Sequence, residues 1–284
     1  MKLGTVKMYA PEQWGSLEMF SKFYSGTYTL SPSGKRAVSG AMNHFQKGLI
    51  LRDLALKLIP NLEMDEIELN QHGYTHAINS KEISAVIESI FLEFYSSVDC
   101  TRKVITEIYS KKYRGIPDST RRYFAKIKAQ EVDEKFPEQL IIAVVEAVWF
   151  DDFREIRDEL THRDTGSCHK DAVTGKIRYS HPGIHINGKI LVLDDIFQKI
   201  EQMISNVNLF IGRVFSYLLT QLKDERMLQY CGIFNGRVYS RYVSPSEAVD
   251  FHGGVCDSKK WFDLEGNPTC IFAHECGAYK RANK

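Results

Sequence analysis

One short stretch of the chain combines side chains that can bind a phosphate group and move a proton. Arg157 and His162 stand five positions apart, with Asp158 and Thr161 between them, at the end of a segment whose apolar residues recur every three or four positions. At about 100° per residue, Arg154 shares their polar side of a helix. Arginine offers a planar fork for phosphate oxygens, and imidazole titrates near neutral pH. The candidate catalytic residues are therefore Arg157, Asp158 and His162, with Arg154 and Thr161 as candidate substrate contacts.

The same cluster also has a purely structural interpretation. Arg154 with Asp158, and Asp158 with His162, are helical neighbours four positions apart, and such pairs stabilise a helix by about 0.2 to 0.5 kcal/mol each. A cationic histidine near a helix C-terminus also suits the helix dipole. Looser matches to the Arg–His spacing occur elsewhere in the chain, but only this one ends a strongly periodic helix pattern.

The run from Arg157 to His162, Arg-Asp-Glu-Leu-Thr-His, resembles the Arg-polar-x3-His signature of the HEPN superfamily. Its members are small helical-bundle proteins, many of them metal-independent ribonucleases of toxin, defence and RNA-processing systems. The resemblance covers about residues 80 to 222, and Asp158 departs from the asparagine that is commonest in the family. It implies an antiparallel helical bundle and RNA as substrate. Because the family faces two motif copies across a dimer axis and this chain has one convincing copy, it also implies a homodimer.

RNA cleavage by attack of its own 2′-hydroxyl needs a base, an acid and a cation for the crowded phosphorus, but no metal. We therefore expect no catalytic cofactor, and a composite cleft in which two copies supply the acid and the base. A toxin–antitoxin or defence-system protein is a further expected partner. The alternative is a non-catalytic HEPN module, a dimerising or RNA-binding scaffold in which the arginine and its neighbours merely form salt bridges.

The charges are unevenly distributed although the formal net charge is only +1. Residues 61–99 are acidic and residues 100–130 are basic. The basic stretch interleaves lysine and arginine with aromatic residues, a mixture that holds phosphates and stacks on unpaired bases. A solvated helix face followed by a basic loop is the alternative. The predicted phosphate contacts are Lys111, Lys112, Arg114, Arg121 and Arg122, and the predicted stacking residues are Tyr109, Tyr113, Tyr123 and Phe124.

The apolar spacing predicts a mainly α protein, a HEPN-like antiparallel bundle. Asn79 and Glu82 fit a capping box at the start of the second long helix, after an acidic connector. In the helix that carries the Arg–His motif, the predicted buried stripe is Ile142, Val145, Trp149, Phe153, Ile156 and Leu160. The predicted bundle helices are 36–59, 81–112, 138–163 and 193–222, with a further basic helical segment at 119–132.

An inserted β-hairpin is predicted at about 173–192. Its strands are 173–179 and 184–192, and Asn187-Gly188 favours a type I′ turn between them. Residues 1–35 are expected to be irregular, residues 36–222 to form the bundle, and residues 223–284 to form a small irregular module rich in glycine, cysteine and aromatic residues. No apolar run is long enough to span a membrane, and no signal peptide is apparent, so a cytoplasmic location is expected.

The carboxy-terminal module concentrates cysteine. The six cysteines include no Cys-x-x-Cys pair, and without an export signal free thiols or a metal site are favoured over disulfides. Thiolate and imidazole are the donors that zinc prefers, and zinc can hold together a module too small to build its own core. The candidate zinc ligands are Cys256, Cys270, His274 and Cys276, and free or buried thiols are the alternative.

Overall fold

The computed structural model describes residues 7–162, 165–186, 189–234 and 236–282, with residues 162, 185, 186 and 189 described by their backbone alone. Within these residues the chain is mainly helical, with two small antiparallel sheets. It divides into a larger unit, Ser31–Val214, and a smaller unit made of Met1–Leu30 and Phe215–Lys284. None of the described helices combines the length and the apolar character that crossing a membrane requires.

The helices and strands alternate unevenly along the chain. The helices are α1 Ser16–Phe23, α2 Pro32–Leu58, α3 Leu62–His72, α4 Ile78–Tyr109, α5 Thr120–Lys128, α6 Glu138–Val145, α7 Phe150–His162, α8 Ile196–Thr220, α9 Lys259–Phe262 and α10 Gly277–Arg281. The strands are β1 Lys7–Met8, β2 Ser167–Lys170, β3 Ile177–Ile186, β4 Lys189–Leu193, β5 Met227–Phe234, β6 Arg237–Val243 and β7 Val255–Cys256.

The larger unit is built on the close packing of α2 against α4. Small residues of α2 face α4 at the contact: a Cβ atom added at Gly40 would lie 2.8 Å from the Cys100 sulfur, and one added at Gly48 would lie 2.6 Å from the ring of Phe94. The Ser97 hydroxyl of α4 donates a hydrogen bond to a backbone carbonyl of α2 at 2.5 Å. The two helix backbones can approach this closely because glycine leaves the space free.

A cluster of aromatic rings packs α5, α7 and α8 around α4. Phe124 of α5 stacks on Phe150 of α7, with ring centroids 3.6 Å apart, and lies 5.5 Å from Phe210 of α8. From α4, Tyr95 contacts Phe150 at 6.0 Å between centroids. Aromatic rings bury large apolar areas and are major contributors to core stability. The same cluster therefore forms the core and fixes the position of α7.

The predicted helices 36–59, 81–112 and 193–222 are confirmed as α2, α4 and α8, with ends shifted by a few residues, and 119–132 contains α5. A single helix over 138–163 is wrong, because the chain turns between α6 and α7. Two hydrogen bonds in this turn, Ala147 to Val144 and Phe150 to Ala147, span three residues rather than four. The turn shifts the phase of the buried face, so Ile142 and Val145 are 42% and 47% exposed instead of buried.

The predicted capping box at Asn79 and Glu82 is wrong. Helix α4 begins at Ile78, and no side-chain cap forms at its first residue. Instead the Asp65 carboxylate of α3 accepts the backbone N–H groups of Asn79 at 3.3 Å and Ser80 at 2.8 Å. The acidic connector is thus itself a helix, and its carboxylate satisfies N–H groups that the first turn of α4 leaves without helical partners.

The inserted element is a three-stranded antiparallel sheet in the order β2-β3-β4. A strand starting at Val173 is wrong, because the Asp171 carboxylate accepts the backbone N–H groups of Val173 and Thr174 and holds them in a turn between β2 and β3. The hairpin itself is present as β3 and β4, which pair from Tyr179 with Leu193 to Ile186 with Lys189. The predicted Asn187-Gly188 turn lies outside the described residues.

The smaller unit contains a four-stranded antiparallel sheet in the order β1-β5-β6-β7. Its edge strand β1 pairs with β5, opposite Ile233 and Gly232, and Phe23 of α1 packs against Val243 and Ala248. The expectation that residues 1–35 and 223–284 are irregular is therefore wrong. The strand β1 is only two residues long, and its partner β5 lies far away in the sequence. No local sequence pattern therefore predicts it.

Two glycine-to-alanine substitutions, one inside the contact of α2 with α4 and one outside it, should change the free energy of unfolding in opposite directions. Gly48→Ala should lower the free energy of unfolding by about 1 to 3 kcal/mol, because the added methyl group collides with the buried ring of Phe94. Gly212→Ala in α8 should raise it by about 0.4 to 1 kcal/mol, because alanine favours helix and no described atom outside its own helix backbone lies within 4 Å. Urea denaturation measures both. Equal stabilisation by both substitutions would contradict the close helix contact.

Candidate functional site

An open groove of about 730 Å³ lies in the larger unit between α2, α4, α5 and α7. It brings together Arg154, Arg157, Asp158 and Thr161 of the motif with Arg121 of the basic stretch. These were predicted as site residues from two separate parts of the sequence. The further polar lining residues are His44, Ser96, Asp99, Ser119 and Thr120.

The two motif arginines share one carboxylate. The Asp158 carboxylate lies 3.2 Å from Nη1 of Arg154 and 3.1 Å from Nη1 of Arg157. Their side chains are only 16% and 25% exposed, and the Nε atoms of both have no hydrogen-bond partner among the described residues. Arg154 also lies 3.6 Å from the Glu155 carboxylate. The described lining of the groove carries three arginines, Arg121, Arg154 and Arg157, against the two carboxylates of Asp99 and Asp158. This excess of positive charge favours an anionic ligand.

Tyr95 of α4 forms the floor beneath Arg157. The guanidinium carbon of Arg157 lies 3.8 Å from the centroid of the Tyr95 ring. Burial raises the pKa of Tyr95, although its contact with Arg157 opposes this shift. The phenol therefore stays neutral, and its ring face attracts the cation and holds the guanidinium plane in one orientation.

The chain on both sides of His162 is attached to α4. Before it, the ring of Phe153 packs against Phe91 with centroids 6.4 Å apart. After it, the backbone N–H of Gly166 donates to the Glu88 carboxylate at 2.6 Å, and the Tyr179 hydroxyl donates to the same oxygen at 3.0 Å. The His162 backbone is the last residue of α7, and its side chain lies outside the described residues.

Thr161 contacts its own helix as well as the groove. Its hydroxyl donates to the backbone carbonyl of Arg157 at 2.8 Å while the side chain is exposed. Such a back-bonded threonine can still offer its oxygen to a ligand. It belongs to the described lining of the groove together with Asp158 of the same helix.

A histidine that the sequence analysis missed lies in the same groove. Nδ1 of His44 is 2.7 Å from the Glu93 carboxylate, whose other oxygen is 2.5 Å from Nζ of Lys47. A carboxylate on one ring nitrogen fixes the tautomer and leaves the other nitrogen for proton transfer. His44 stands on α2 and Glu93 on α4, so only the helix packing reveals the pair.

The five predicted phosphate contacts are all exposed, but they do not form one site. Arg121 lines the groove. The other four residues are not among the described residues that line it: Lys111, Lys112, Arg114 and Arg122. The Lys112 ammonium lies 5.1 Å from the centroid of the Tyr113 ring. Only Arg121 of the predicted phosphate contacts is therefore placed at the groove by the described lining.

The prediction that aromatic residues of the basic stretch stack on bases is wrong. Tyr109, Tyr113, Tyr123 and Phe124 are between 0% and 9% exposed and belong to the core. Tyr109 and Tyr113 pack against Phe136 with centroids 6.0 and 5.8 Å away. The interleaving of basic and aromatic residues reflects an amphipathic arrangement, in which the charged side chains face water and the rings face inward.

The four predicted zinc ligands do not all lie at one site in the structure. Cys256, Cys270 and Cys276 line one small cavity of the smaller unit together with Cys231. His274 is not part of that lining: its ring is 73% exposed and lies 3.1 Å from the Glu275 carboxylate. Across the described residues, no three His, Cys, Asp or Glu side chains are already gathered as a metal site.

Comparison of the chain with family models, curated proteins and solved structures gives no match. The larger unit is mainly helical. Its groove combines two oriented guanidinium groups, a carboxylate that they share and the His44–Glu93 pair.

The His44–Glu93 pair predicts a specific pH dependence of stability. Burial tends to raise the pKa of Glu93, but hydrogen bonds from Lys47 and His44 together lower it below its ordinary value of 4.5. A carboxyl with a lowered folded-state pKa stabilises the protein above its unfolded pKa, and this contribution is lost as the pH falls through the folded-state pKa. In Glu93→Gln, stability should therefore fall less as the pH drops below 4.5. Thermal unfolding at a series of pH values measures this change.

The matched control for this substitution is Glu82→Gln, at an exposed position of the same helix α4. It should leave the acid part of the stability profile close to that of the unmodified chain. Identical profiles for Glu93→Gln and the unmodified chain would mean that the pair does not stabilise the fold.

Proposed function

We propose that this chain is a metal-independent endoribonuclease of the HEPN type, acting on single-stranded RNA in the cytoplasm. The observation that carries the proposal is the groove wall in which Asp158 holds Arg154 and Arg157 beside Arg121, where α7 ends at His162. The resemblance of Arg157 to His162 to the HEPN signature supports the same assignment. These cationic groups suit a polyanion such as RNA, whose own ribose 2′-hydroxyl is the nucleophile of the proposed reaction.

In the proposed reaction a base removes the proton of the ribose 2′-hydroxyl, and the oxygen forms a bond to the neighbouring phosphorus. The bond from phosphorus to the 5′-oxygen breaks, and an acid protonates that oxygen. The products are a 2′,3′-cyclic phosphate and a 5′-hydroxyl end. Arg157 binds the non-bridging oxygens through its planar fork, Asp158 and Tyr95 hold that fork in place, and His162 serves as the base or the acid.

The reaction needs a second proton-transfer group, since one histidine cannot readily act as base and acid in the same step. A homodimer would supply it by facing two copies of the motif across a two-fold axis. Within one chain, His44 lies in the same groove with Glu93 on its Nδ1 atom. These two sources lead to different results in dilution and mutation experiments.

A non-catalytic scaffold is the second candidate function. It is favoured by the salt bridges themselves, because both arginines are largely buried and paired with Asp158 of the same helix. Such pairs can serve only to stabilise α7 and its packing. In that case the chain would dimerise or bind RNA as part of a toxin–antitoxin or defence system, with an antitoxin or defence protein as its partner.

The ribonuclease proposal predicts cleavage of single-stranded RNA in the presence of EDTA, leaving 2′,3′-cyclic phosphate ends. His162→Ala should abolish cleavage, and Arg157→Ala should slow it by about 10² to 10³, the usual cost of losing a preorganised charge stabiliser. Gel analysis of labelled RNA measures the rates, and circular dichroism verifies the fold.

Arg163→Ala and His169→Ala are the matched controls, since these residues fit a looser version of the same spacing. Both should retain most of the activity. Cleavage that survives in His162→Ala would exclude this site. Binding of RNA without cleavage by the unmodified chain would favour the scaffold.

The source of the second proton-transfer group is tested with His44→Ala and light scattering. If the site is composite, we expect a homodimer at micromolar concentration, loss of cleavage on dilution to monomer, and nearly full activity in His44→Ala. If His44 acts within one chain, His44→Ala should lose cleavage as strongly as His162→Ala, and one limb of the pH–rate profile should disappear. A monomer that cleaves RNA without His44 would contradict both sources.

A further inference from the structure

Four of the six cysteines meet in the smaller unit. Cys231, Cys256, Cys270 and Cys276 line one cavity of about 50 Å³, whose remaining lining is mostly apolar and aromatic. Cys231 belongs to β5 and Cys256 to β7, while Cys270 and Cys276 precede α10. Folding alone brings these sulfur atoms together, because the sequence places no two of them closer than six positions.

A buried cation lies beside these thiols. Arg241 of β6 is 1% exposed and stands opposite Cys256 in the pairing of β6 with β7. Its Nη1 atom donates to the backbone carbonyls of Phe251 and Gly253, whereas Nε and Nη2 have no hydrogen-bond partner among the described residues. A buried guanidinium with unpaired N–H groups is costly unless an anion compensates it. The described lining of this cavity contains no carboxylate that could do so.

We propose that Cys231, Cys256, Cys270 and Cys276 bind one zinc ion as a structural tetrathiolate site, with Arg241 offsetting its negative charge. On binding, each thiol releases its proton to solvent and each sulfur donates an electron pair to the metal. Four thiolates around Zn²⁺ carry a net charge of minus two, and the guanidinium partly neutralises it. The Nε–H and Nη2–H groups of Arg241, which have no partner among the described residues, would be available to donate to thiolate sulfur, as outer-shell donors to metal ligands commonly do.

The cavity has the size and surroundings that a single ion needs. Its volume exceeds the roughly 10 to 15 Å³ that holds one water molecule and falls well below the roughly 300 to 1,000 Å³ of small-molecule sites. Among the described residues the thiols are not gathered at coordinating positions, so the proposed site requires the cysteine side chains to change rotamer when the metal binds. Cys231 lies where the β5–β6 pairing skips a residue, a bulge that can re-aim a side chain toward the cavity.

The test is the metal content of the full-length chain, purified under reducing conditions without chelators. We expect about one zinc per chain by mass spectrometry of the metals, as for a closed structural site. Replacement of zinc by cobalt should give the sulfur-to-metal charge-transfer and visible bands of tetrahedral tetrathiolate coordination. The cobalt spectrum needs no substitution, so it stands even if variants fail to fold.

Substitutions then identify the ligands. Cys231→Ser should lose the metal or bind it far more weakly, whereas His274→Ala and Cys100→Ser, a half-buried cysteine of the larger unit, should each keep one zinc. Arg241→Met should weaken zinc binding by about tenfold or more in competition with a chelator, as expected for an outer-shell partner. The opposite pattern, with zinc kept in Cys231→Ser and lost in His274→Ala, would overturn the ligand set.

Three further results would overturn the site itself. The first is a chain that contains no zinc and gives no cobalt spectrum after reconstitution. The second is iron with acid-labile sulfide in place of zinc. The third is a disulfide between any two of the four cysteines in protein kept under reducing conditions, detected by mass spectrometry of peptides.

Discussion

Helix α4 sets the geometry on which the larger unit depends. Its apolar face receives α2 at the Gly48 contact and α7 through Phe91 and Tyr95. Its polar positions hold the inserted sheet, since Glu88 accepts hydrogen bonds from Gly166 and Tyr179. The groove is the space left between these elements. A change in the spacing of α2 and α4 would therefore move His44 relative to the motif helix without touching the motif itself.

The electrostatics of the groove follow from the same packing. Arg157 can remain largely buried because Tyr95 lies beneath its plane and Asp158 beside its edge. Arg154 and Arg157 are paired with Asp158, yet each retains an Nε donor without a partner among the described residues. Their hydrogen-bonding capacity is therefore only partly satisfied within the described part of the chain. An anion at this wall would therefore find N–H donors that the internal pairing leaves without a partner.

Much of the larger unit could be predicted from sequence because long helices leave a periodic pattern. The buried positions Ile83, Ile87 and Phe94 of α4 follow that pattern closely. The pattern failed where local hydrogen bonds changed the phase, at the turn that exposes Ile142, and where a side chain from another helix, Asp65, supplied the cap. The motif residues were found by type and spacing. His44 was not, because its partner stands on a different helix.

The smaller unit draws its sheet from residues near both ends of the sequence, with β1 paired to β5. The larger unit is one continuous segment, so every partner it needs emerges from the ribosome before α8 is complete. Residues 7–30 have to wait for residues 215–282 before they can bury Phe20 and Phe23. Domains generally fold as units during synthesis, the amino-terminal part first. Residues 7–30 therefore join their fold only after residues 215–282 have been made, and Phe20 and Phe23 are without these packing partners until then.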